Sequence, residues 1–518
     1  MTLRTLIKTS QYHDSVSLML VARELAKLPG VKDAAVVMAT DANKSILEQS
    51  GLLGPEAKAA SPNDLVIAVQ ADDGSGDAVL DEAENLLQKK AAVEESAGFR
   101  PKTIRSAVKT RPDANVCVVS VAGRYAAGEA WEALRRGLHV LLFSDNVDLK
   151  DEIALKEYAR DHALLLMGPG AGTTILNGVA LGFANVVPQG PVGIVSAAGT
   201  GLQEVSTLLA KRGVGITQGL GVGGRDLSQE VGGIMMLEAL KSLQADDNTK
   251  VIVLVSKPPA DDVAQAVLKQ VGASDKPTVV CLLGGHLDHG LPTNATVVAT
   301  LQEAALLAAG LADGDVPDLA DLLDKEAQQT ERRAEELAAG LAPGQRYLRG
   351  LFSGGTLCYE SQVIWRANSD LKVWSNAPLI KALQMPDSTR SQEHSVVDLG
   401  EEEFTVGRPH PMIDNDLRIR RIHQEAEDPE VAVIMLDVVI GYGAHDDPAG
   451  ELGAAIKQAR AEAKDQRREL IFVASVTGTE ADPQVLSRQA DTLIDAGVVL
   501  CESNAEAARL VGAVVAGR

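Results

Sequence analysis

The sequence predicts an α/β protein of several domains, with mostly parallel sheets covered by helices. Three observations lead there. Apolar residues form 45% of the 518-residue chain but aromatic ones only 3%, so the cores must be built from Val, Ile, Leu and Ala, as in sheets buried on both faces. Short apolar runs alternate with helix-periodic segments along most of the chain, the pattern of βαβ units. One strand, turn and helix passage also occurs twice. A chain this long exceeds one core and calls for about three or four domains.

Residues 1–95 alternate strands (LRTLIKT, DAAVVMA, DLVIAVQ) with helices, of which SVSLMLVARELAKLPG is the clearest and is stopped by Pro29-Gly30. This predicts a small α/β N-terminal domain. The polar stretch EESAGFRPKTIRSAVKTRPDAN links it to a second unit, residues 114–190, with strands at NVCVVSV, HVLLFS and ALLLMG and helices such as AAGEAWEALRRG. That order predicts a parallel sheet. Residues 191–310 hold the first copy of the repeated unit. Residues 311–343 are charged and helical in pattern, as suits a linker, and residues 344–518 hold the second copy.

The first copy opens GIVSAAGTGLQEVSTLLAKRG, an apolar strand running through Ala198-Gly199-Thr200-Gly201 into an amphipathic helix. Small residues allow a tight turn, and the first helical turn leaves unpaired N–H groups and a partial positive charge that suit a phosphate or carboxylate. A βα turn using glycine only for geometry fits the same residues, because the spacing is neither GxGxxG nor Walker A. The second copy opens RYLRGLFSGGTLCYESQVIW, with Ser353-Gly354-Gly355-Thr356 at the turn. The echo continues: VIVLVSKPPADDVAQAVLKQ and KPTVVCLLGG follow the first copy, VAVIMLDVVIGYGAHDDPAGELGAAIKQA and RELIFVASVTGT the second. The period is too long for a solenoid and reads as two related domains. Facing each other, such domains present two helix N-termini to one anion.

A formal charge of −22 argues against nucleic acid, which needs a basic face. No apolar run reaches the roughly 18 to 20 residues of a membrane span and the N-terminus lacks a signal peptide's apolar stretch, so a cytoplasmic protein without a membrane partner is expected. Cys117, Cys281, Cys358 and Cys501 are far apart with no CxxC, which favours reduced core cysteines over disulfides or zinc. No histidine pair has metal-ligand spacing, and no metal is expected.

At Met167 to Thr173, MGPGAGT followed by GPVGIVSAAGTGLQE resembles the succinyl-CoA synthetase α subunit, and the chain from Ser395 onward resembles that enzyme's β-subunit ligase domain. LIKTSQYHDSVSLMLVARELAKLPGV, GRPHPMID (Gly407 to Asp414) and LDVVIGYGAHDDPAG (Leu436 to Gly450) resemble the FdrA family of acyl-CoA synthetase-like proteins, over nearly the whole chain. The resemblance implies a Rossmann-like CoA-binding-type domain at 114–190 and two flavodoxin-like ligase domains. It also implies a role in purine-ureide (allantoin) breakdown, with carbamoyl transfer between oxamate and phosphate giving oxalurate and carbamoyl phosphate, other subunits of a complex as partners, and a homo- or hetero-oligomer. Two departures stand out. The region of the synthetase phosphohistidine reads Gly284-Gly285-His286-Leu287-Asp288-His289-Gly290, so His286 or His289 is the candidate catalytic histidine of an acyl-CoA synthetase reading, or a polar loop residue. The ATP-grasp domain is absent and the N-terminal region has no glycine loop of the CoA-binding kind, so no cofactor is required, CoA binding stays open, and the activated phosphate arrives ready-made as carbamoyl phosphate.

On that reading Ala198, Gly199, Thr200 and Gly201 hold one side of a phosphate, and Gly441, Tyr442 and Gly443, or Gly354 and Gly355, hold the other. Arg408 and His410, between stiffening prolines, are candidates for binding the small anionic substrate, or Arg408 pairs with Glu401 to Glu403 on a rigid loop. The run Asp416 to Ile422 alternates charge with Leu and Ile and reads as a solvated face. A non-catalytic scaffold that kept the fold is the third reading.

Overall fold

The computed structural model describes every residue except 1, 10, 12–14, 41–42, 45–46, 49, 73–75, 96–100, 286–289, 370, 406–408 and 518. The chain divides into two compact units, Met1–Thr110 with Glu402–Pro409, and Arg111–Glu401 with His410–Arg518.

The first unit is a three-stranded antiparallel sheet in the order β1 (Thr2–Lys8), β3 (Leu65–Ala71), β2 (Val31–Met38). Its central strand reads LVIAVQA, and the two-residue period of a strand splits it between two cores. Leu65, Ile67 and Val69 pack with Leu18, Val21, Leu25, Val79 and Ala83, from the helices Ser15–Ala26 and Gly76–Glu95. Val66 and Ala68 pack on the other face with Leu47, Leu52 and Ala57.

The second unit holds three sheets. The smallest is parallel: β4 (Val116–Val119), β5 (His139–Leu142), β6 (Leu166–Met167). The largest has the order β13 (Ala295–Val298), β12 (Thr278–Leu282), β11 (Val251–Ser256), β9 (Gln189–Ser196), β10 (Ile216–Gly221), β7 (Thr173–Leu176), β8 (Val179–Gly182). Strands β9 to β13 are parallel, while β7 and β8 form an antiparallel hairpin on its edge. The third is parallel throughout: β15 (Val373–Ser375), β16 (His394–Asp398), β14 (Tyr347–Phe352), β17 (Val431–Val439), β18 (Ile471–Thr477), β19 (Val499–Cys501). Matching β9 with β14, and leaving aside the added edge strand β15 and the β7 and β8 hairpin, the two large sheets share one strand order, second, first, third, fourth, fifth, which is the flavodoxin-like doubly wound arrangement. The fold class predicted from sequence is the one observed.

The two large sheets share a contiguous apolar core that runs from Val192, Val253 and Leu208 through Leu301 and Ala305 to Phe352, Trp365, Met435 and Val511. Buried polar groups cross between them in a reciprocal pattern. The helix Gly199–Lys211 of the first repeat carries Glu204, whose Oε1 accepts the Asn504 N–H at 3.0 Å, at the start of the helix Asn504–Val515 of the second. The helix Gly355–Ser369 of the second repeat carries Glu360, whose Oε1 accepts the Leu301 N–H at 2.7 Å, at the start of the helix Leu301–Asp313 of the first. Each receiving helix also has its own capping box, Thr300 with Glu303 and Ser503 with Glu506. Each repeat thus supplies an acid to the positive end of the other's last helix.

Residues 311–343 contain the end of the Leu301–Asp313 helix and the whole of the helix Leu319–Ala338. The latter is held down: Arg509 Nη1 donates to Glu326 Oε1 at 2.6 Å and Arg333 Nη2 to the Leu500 carbonyl at 3.0 Å. The run Asp416 to Ile422 differs from its sequence reading. It lies in the helix Asp416–Glu427, where Arg418, Arg421 and Ile422 are buried and Glu425 completes the inward face.

Candidate functional site

In a doubly wound sheet, ligands bind at the carboxyl ends of the strands where the order reverses. For the two repeats these points lie after β9 and β11 and after β14 and β17, and the helix heads there touch. The Thr200 Oγ1 accepts the Thr356 N–H at 3.3 Å. A Cβ on Gly354 would stand 2.9 Å from Thr200 Cγ2, and one on Gly201 3.1 Å from Thr356 Cγ2. A side chain at either position would have to push the facing threonine aside, so the small glycines suit the close approach of the heads.

The two turns are not equivalent. In the second, Asp437 of β17 closes the turn ahead of the helix: its Oδ1 accepts the Ser353 N–H at 2.8 Å, and its Oδ2 accepts the Gly354 N–H at 2.7 Å and the Ser353 hydroxyl at 3.0 Å. Arg418 balances it through Nη2 at 3.1 Å from Oδ1, and both side chains are essentially inaccessible. Gly354, a candidate phosphate donor by sequence, therefore gives its N–H to an internal carboxylate. In the first turn β11 ends Leu254-Val255-Ser256 with no acid. The Ala197 N–H bonds the Val255 carbonyl at 2.9 Å and the Ala198 N–H bonds Ser196 Oγ at 3.0 Å. Among the described residues, the N–H groups of Gly199, Thr200 and Gly201 meet no protein acceptor.

The glycine pair of the second repeat is also engaged. Gly441, at φ +115°, donates its N–H to Gln484 Oε1 at 3.0 Å, and Tyr442 donates to the Ala184 carbonyl at 2.9 Å. Gln484 Nε2 returns to the Gly441 and His445 carbonyls at 2.9 and 3.0 Å. Asn185 Nδ2 donates to the Ile440 carbonyl and to Asp482 Oδ2, each at 2.8 Å, and Asn185 Oδ1 accepts from Gln203 Nε2 at 3.1 Å. These bonds fix the Gly441 to Gly443 loop against the segment before β9. The expected donation to phosphate by Gly441 and Tyr442 is corrected accordingly, because those N–H groups are already spent within the protein.

Gly355 opens its helix beside Asp398, at the end of β16. The Asp398 Oδ1 accepts the Gly400 N–H at 2.9 Å, and Oδ2 stands 2.5 Å from where a Cβ on Gly355 would be. Burial pushes the Asp398 carboxyl up to about 7; Glu401 and Asp437 act in the same direction, the Gly400 N–H and Lys257 against it. His410 packs its ring 5.6 Å from Phe183 and accepts the Met412 N–H on Nδ1 at 3.2 Å. Burial lowers it to about 4, so near neutral pH it offers a hydrogen bond and no charge. Arg408, His286 and His289 lie outside the described residues.

Sequence reasoning missed Asp437, Arg418, Asp398, Gln484 and Lys257. A signal existed for three of them. Single acids inside VAVIMLDVV and HSVVDLG are anomalies in buried strands, and the four-residue rhythm of Arg418, Ile422 and Glu425 marks an inward helix face.

These features, two flavodoxin-like repeats with their helix heads together, are those of CoA-ligase-type domains. The CoA-ligase family model matches residues 351–514, and the CoA binding domain model matches residues 188–284, which fall on the first repeat rather than on residues 114–190. A third, described as AllF, heavy metal-associated domain, matches residues 1–102. That stretch contains no cysteine and one histidine, His13, so its donor set does not suit a soft metal held by thiolates. The chain belongs to the family of the Escherichia coli (strain K12) protein YahF, with which it is 44% identical over 506 residues, 97% of each chain. It is also 28% identical over 188 residues to the succinate–CoA ligase [ADP-forming] subunit alpha 1 of Archaeoglobus fulgidus, covering 35% of this chain and 62% of that one. With the corresponding subunit alpha of Staphylococcus aureus (strain Mu50) it is 28% identical over 155 residues, 29% and 49% of the two chains. Among the described residues no helix is long and apolar enough to cross a membrane.

Proposed function

We propose that this protein transfers a carbamoyl or related acyl group through an acyl phosphate in ureide (allantoin) breakdown, oxamate and carbamoyl phosphate exchanging with oxalurate and phosphate, as one component of a complex. The observation that carries this reading is the meeting of the two helix heads, at which the three N–H groups of Gly199 to Gly201 have no protein acceptor among the described residues. A helix head with free donors in a buried setting stabilises a leaving phosphate dianion by preorganised hydrogen bonds. Acyl transfer of this kind demands little covalent chemistry from the protein, since the carbamoyl carbon need only be held against the amide nitrogen. The AllF-type N-terminal match and the CoA-ligase-type repeats support the setting.

Calorimetric titration with carbamoyl phosphate, with CoA in parallel, tests it. Binding of carbamoyl phosphate that is lost in Gly199→Val supports the reading, and oxalurate phosphorolysis by the reconstituted complex would extend it. CoA binding together with acid-labile phosphate on His286 or His289 favours the acyl-CoA synthetase alternative. Unchanged turnover of a partner enzyme after loss of both turns favours a scaffold.

A further inference from the structure

We propose that His410, Ser353 and Asp398 together hold the carbamoyl group in transit: the His410 Nε2–H donates to its oxygen, and the Ser353 carbonyl and Asp398 Oδ1 accept from its NH2. This rests on the reading that a carbamoyl group is transferred at the junction of the two helix heads.

The three groups meet over one glycine. A Cβ on Gly400 would stand 2.9 Å from His410 Nε2, 3.0 Å from the Ser353 carbonyl oxygen and 3.2 Å from Asp398 Oδ1. Gly400 and His410 are partly exposed while Ser353 and Asp398 are buried, so the trio is reached from the side of the glycine and the ring. The same place adjoins the helix heads, because Ser353 is bonded to Gly354, whose Cβ position is 2.9 Å from Thr200 Cγ2.

Each group has hydrogen-bonding capacity left over. The Met412 N–H donates to His410 Nδ1 at 3.2 Å, which makes Nδ1 the acceptor of a neutral ring and puts the hydrogen on Nε2. Burial keeps the ring neutral near pH 7, and among the described residues Nε2 meets no acceptor. The Ser353 carbonyl meets no donor among them. Asp398 Oδ1 takes the Gly400 N–H at 2.9 Å and keeps a second lone pair whether or not Oδ2 carries a proton. One donor and two acceptors around one point are the complement of a primary amide, which has one carbonyl oxygen and two N–H bonds. An acyl group with a methyl or methylene in place of the NH2 would leave both acceptors without a partner, at a cost in affinity. The trio therefore separates a carbamoyl from an acetyl or succinyl group, a choice that the two repeats by themselves do not make.

Carbamoyl phosphate and acetyl phosphate, which differ only in NH2 against CH3, are the probes, titrated calorimetrically into the full chain. Wild type is expected to prefer carbamoyl phosphate by about tenfold or more, a comparison that needs no substitution. His410→Phe, which keeps a ring without the Nε2–H, is expected to lose most of that preference, and His410→Gln, whose amide restores a donor, to recover part of it; thermal unfolding shows that each variant keeps the fold. Equal binding of the two acyl phosphates by wild type, or a preference unchanged in His410→Phe, overturns the proposal and leaves an acyl-phosphate site in place. Oxamate preferred over pyruvate, which also differ only in NH2 against CH3, with the two acyl phosphates bound alike, would place the amide of oxamate here and overturn the assignment to the group in transit. A preference for carbamoyl phosphate in a reconstituted complex that makes no oxalurate would retain this subsite and reject the proposed reaction. Binding of neither acyl phosphate would overturn both.

Discussion

Substituting Glu360 by Gln removes a titration that the fold has displaced. Glu360 is buried on the helix Gly355–Ser369, accepting the Leu301 N–H at 2.7 Å and the Asn504 side-chain amide at 2.8 Å. Burial raises its carboxyl from 4.5 to about 7, with Glu204 adding to the shift and the Asn504 and Leu301 hydrogen bonds and Arg509 opposing it. Between these values the folded protein binds more protons at this site than the unfolded chain, so stability falls as pH rises through the window. Over the range from about pH 5 to about pH 8 the loss amounts to about 2.5 kcal/mol from this one group. Urea unfolding followed by Trp365, buried on the same helix, in a background with Trp131 and Trp374 replaced by Phe, reads it directly. Glu360→Gln shifts absolute stability by an amount that depends on how its amide meets Asn504, but this offset does not vary with pH. The expected result is therefore a difference between wild type and variant that changes by about 2.5 kcal/mol across the range. A difference constant to within about 1 kcal/mol would refute the argument, since it would mean that Glu360 titrates in the folded protein as it does in the unfolded one.

Three further outcomes can be checked. Gly354→Ala places a Cβ 2.9 Å from Thr200 Cγ2 and 3.0 Å from Asp437 Oδ2 and should cost about 1–3 kcal/mol, whereas Gly199→Ala meets nothing nearer than Thr173 Oγ1 at 3.6 Å and should leave the thermal transition unchanged. Lys156→Met strips the ammonium bound to Glu152 at 2.8 Å and to Asp226 at 2.7 Å, all three fully buried, and should destabilise by about 3–5 kcal/mol in urea unfolding because uncompensated charges remain. Val485, a β-branched residue at φ +61°, should become more stable by about 1 kcal/mol as Gly, the relief of strain outweighing the entropy of the unfolded chain.

The strand and helix alternation and the repeated turn were legible in the sequence because buried parallel strands are near-continuous apolar runs, and the two copies kept the same order of them. The β7 and β8 hairpin was not read, although Asn177-Gly178 stands at its tip with both residues at positive φ, the signature of a two-residue hairpin loop. Its strands are four residues each, and the surrounding βα rhythm hid them. The contact between the two helix heads followed from the repeat. What closes the turn ahead of one of them did not, because the carboxylate of Asp437 comes from a strand about 80 residues downstream and its counter-ion from a helix that looked solvated. Charges placed by tertiary pairing leave only a faint trace in sequence, an acid where an apolar residue would serve.

The exchange of Glu204 and Glu360 between the repeats makes neither half self-sufficient. A chain cut between the Leu319–Ala338 helix and β14 would leave the first piece with an idle Glu204 and with the Leu301 N–H of its Leu301–Asp313 helix lacking its acceptor, and the second piece with an idle Glu360 and the Asn504 N–H in the same position. Each fragment would carry, already shaped, the acid its counterpart lacks. Complementation of the two pieces expressed as separate chains is therefore built into the packing, and the covalent join sets their relative concentration rather than their fit.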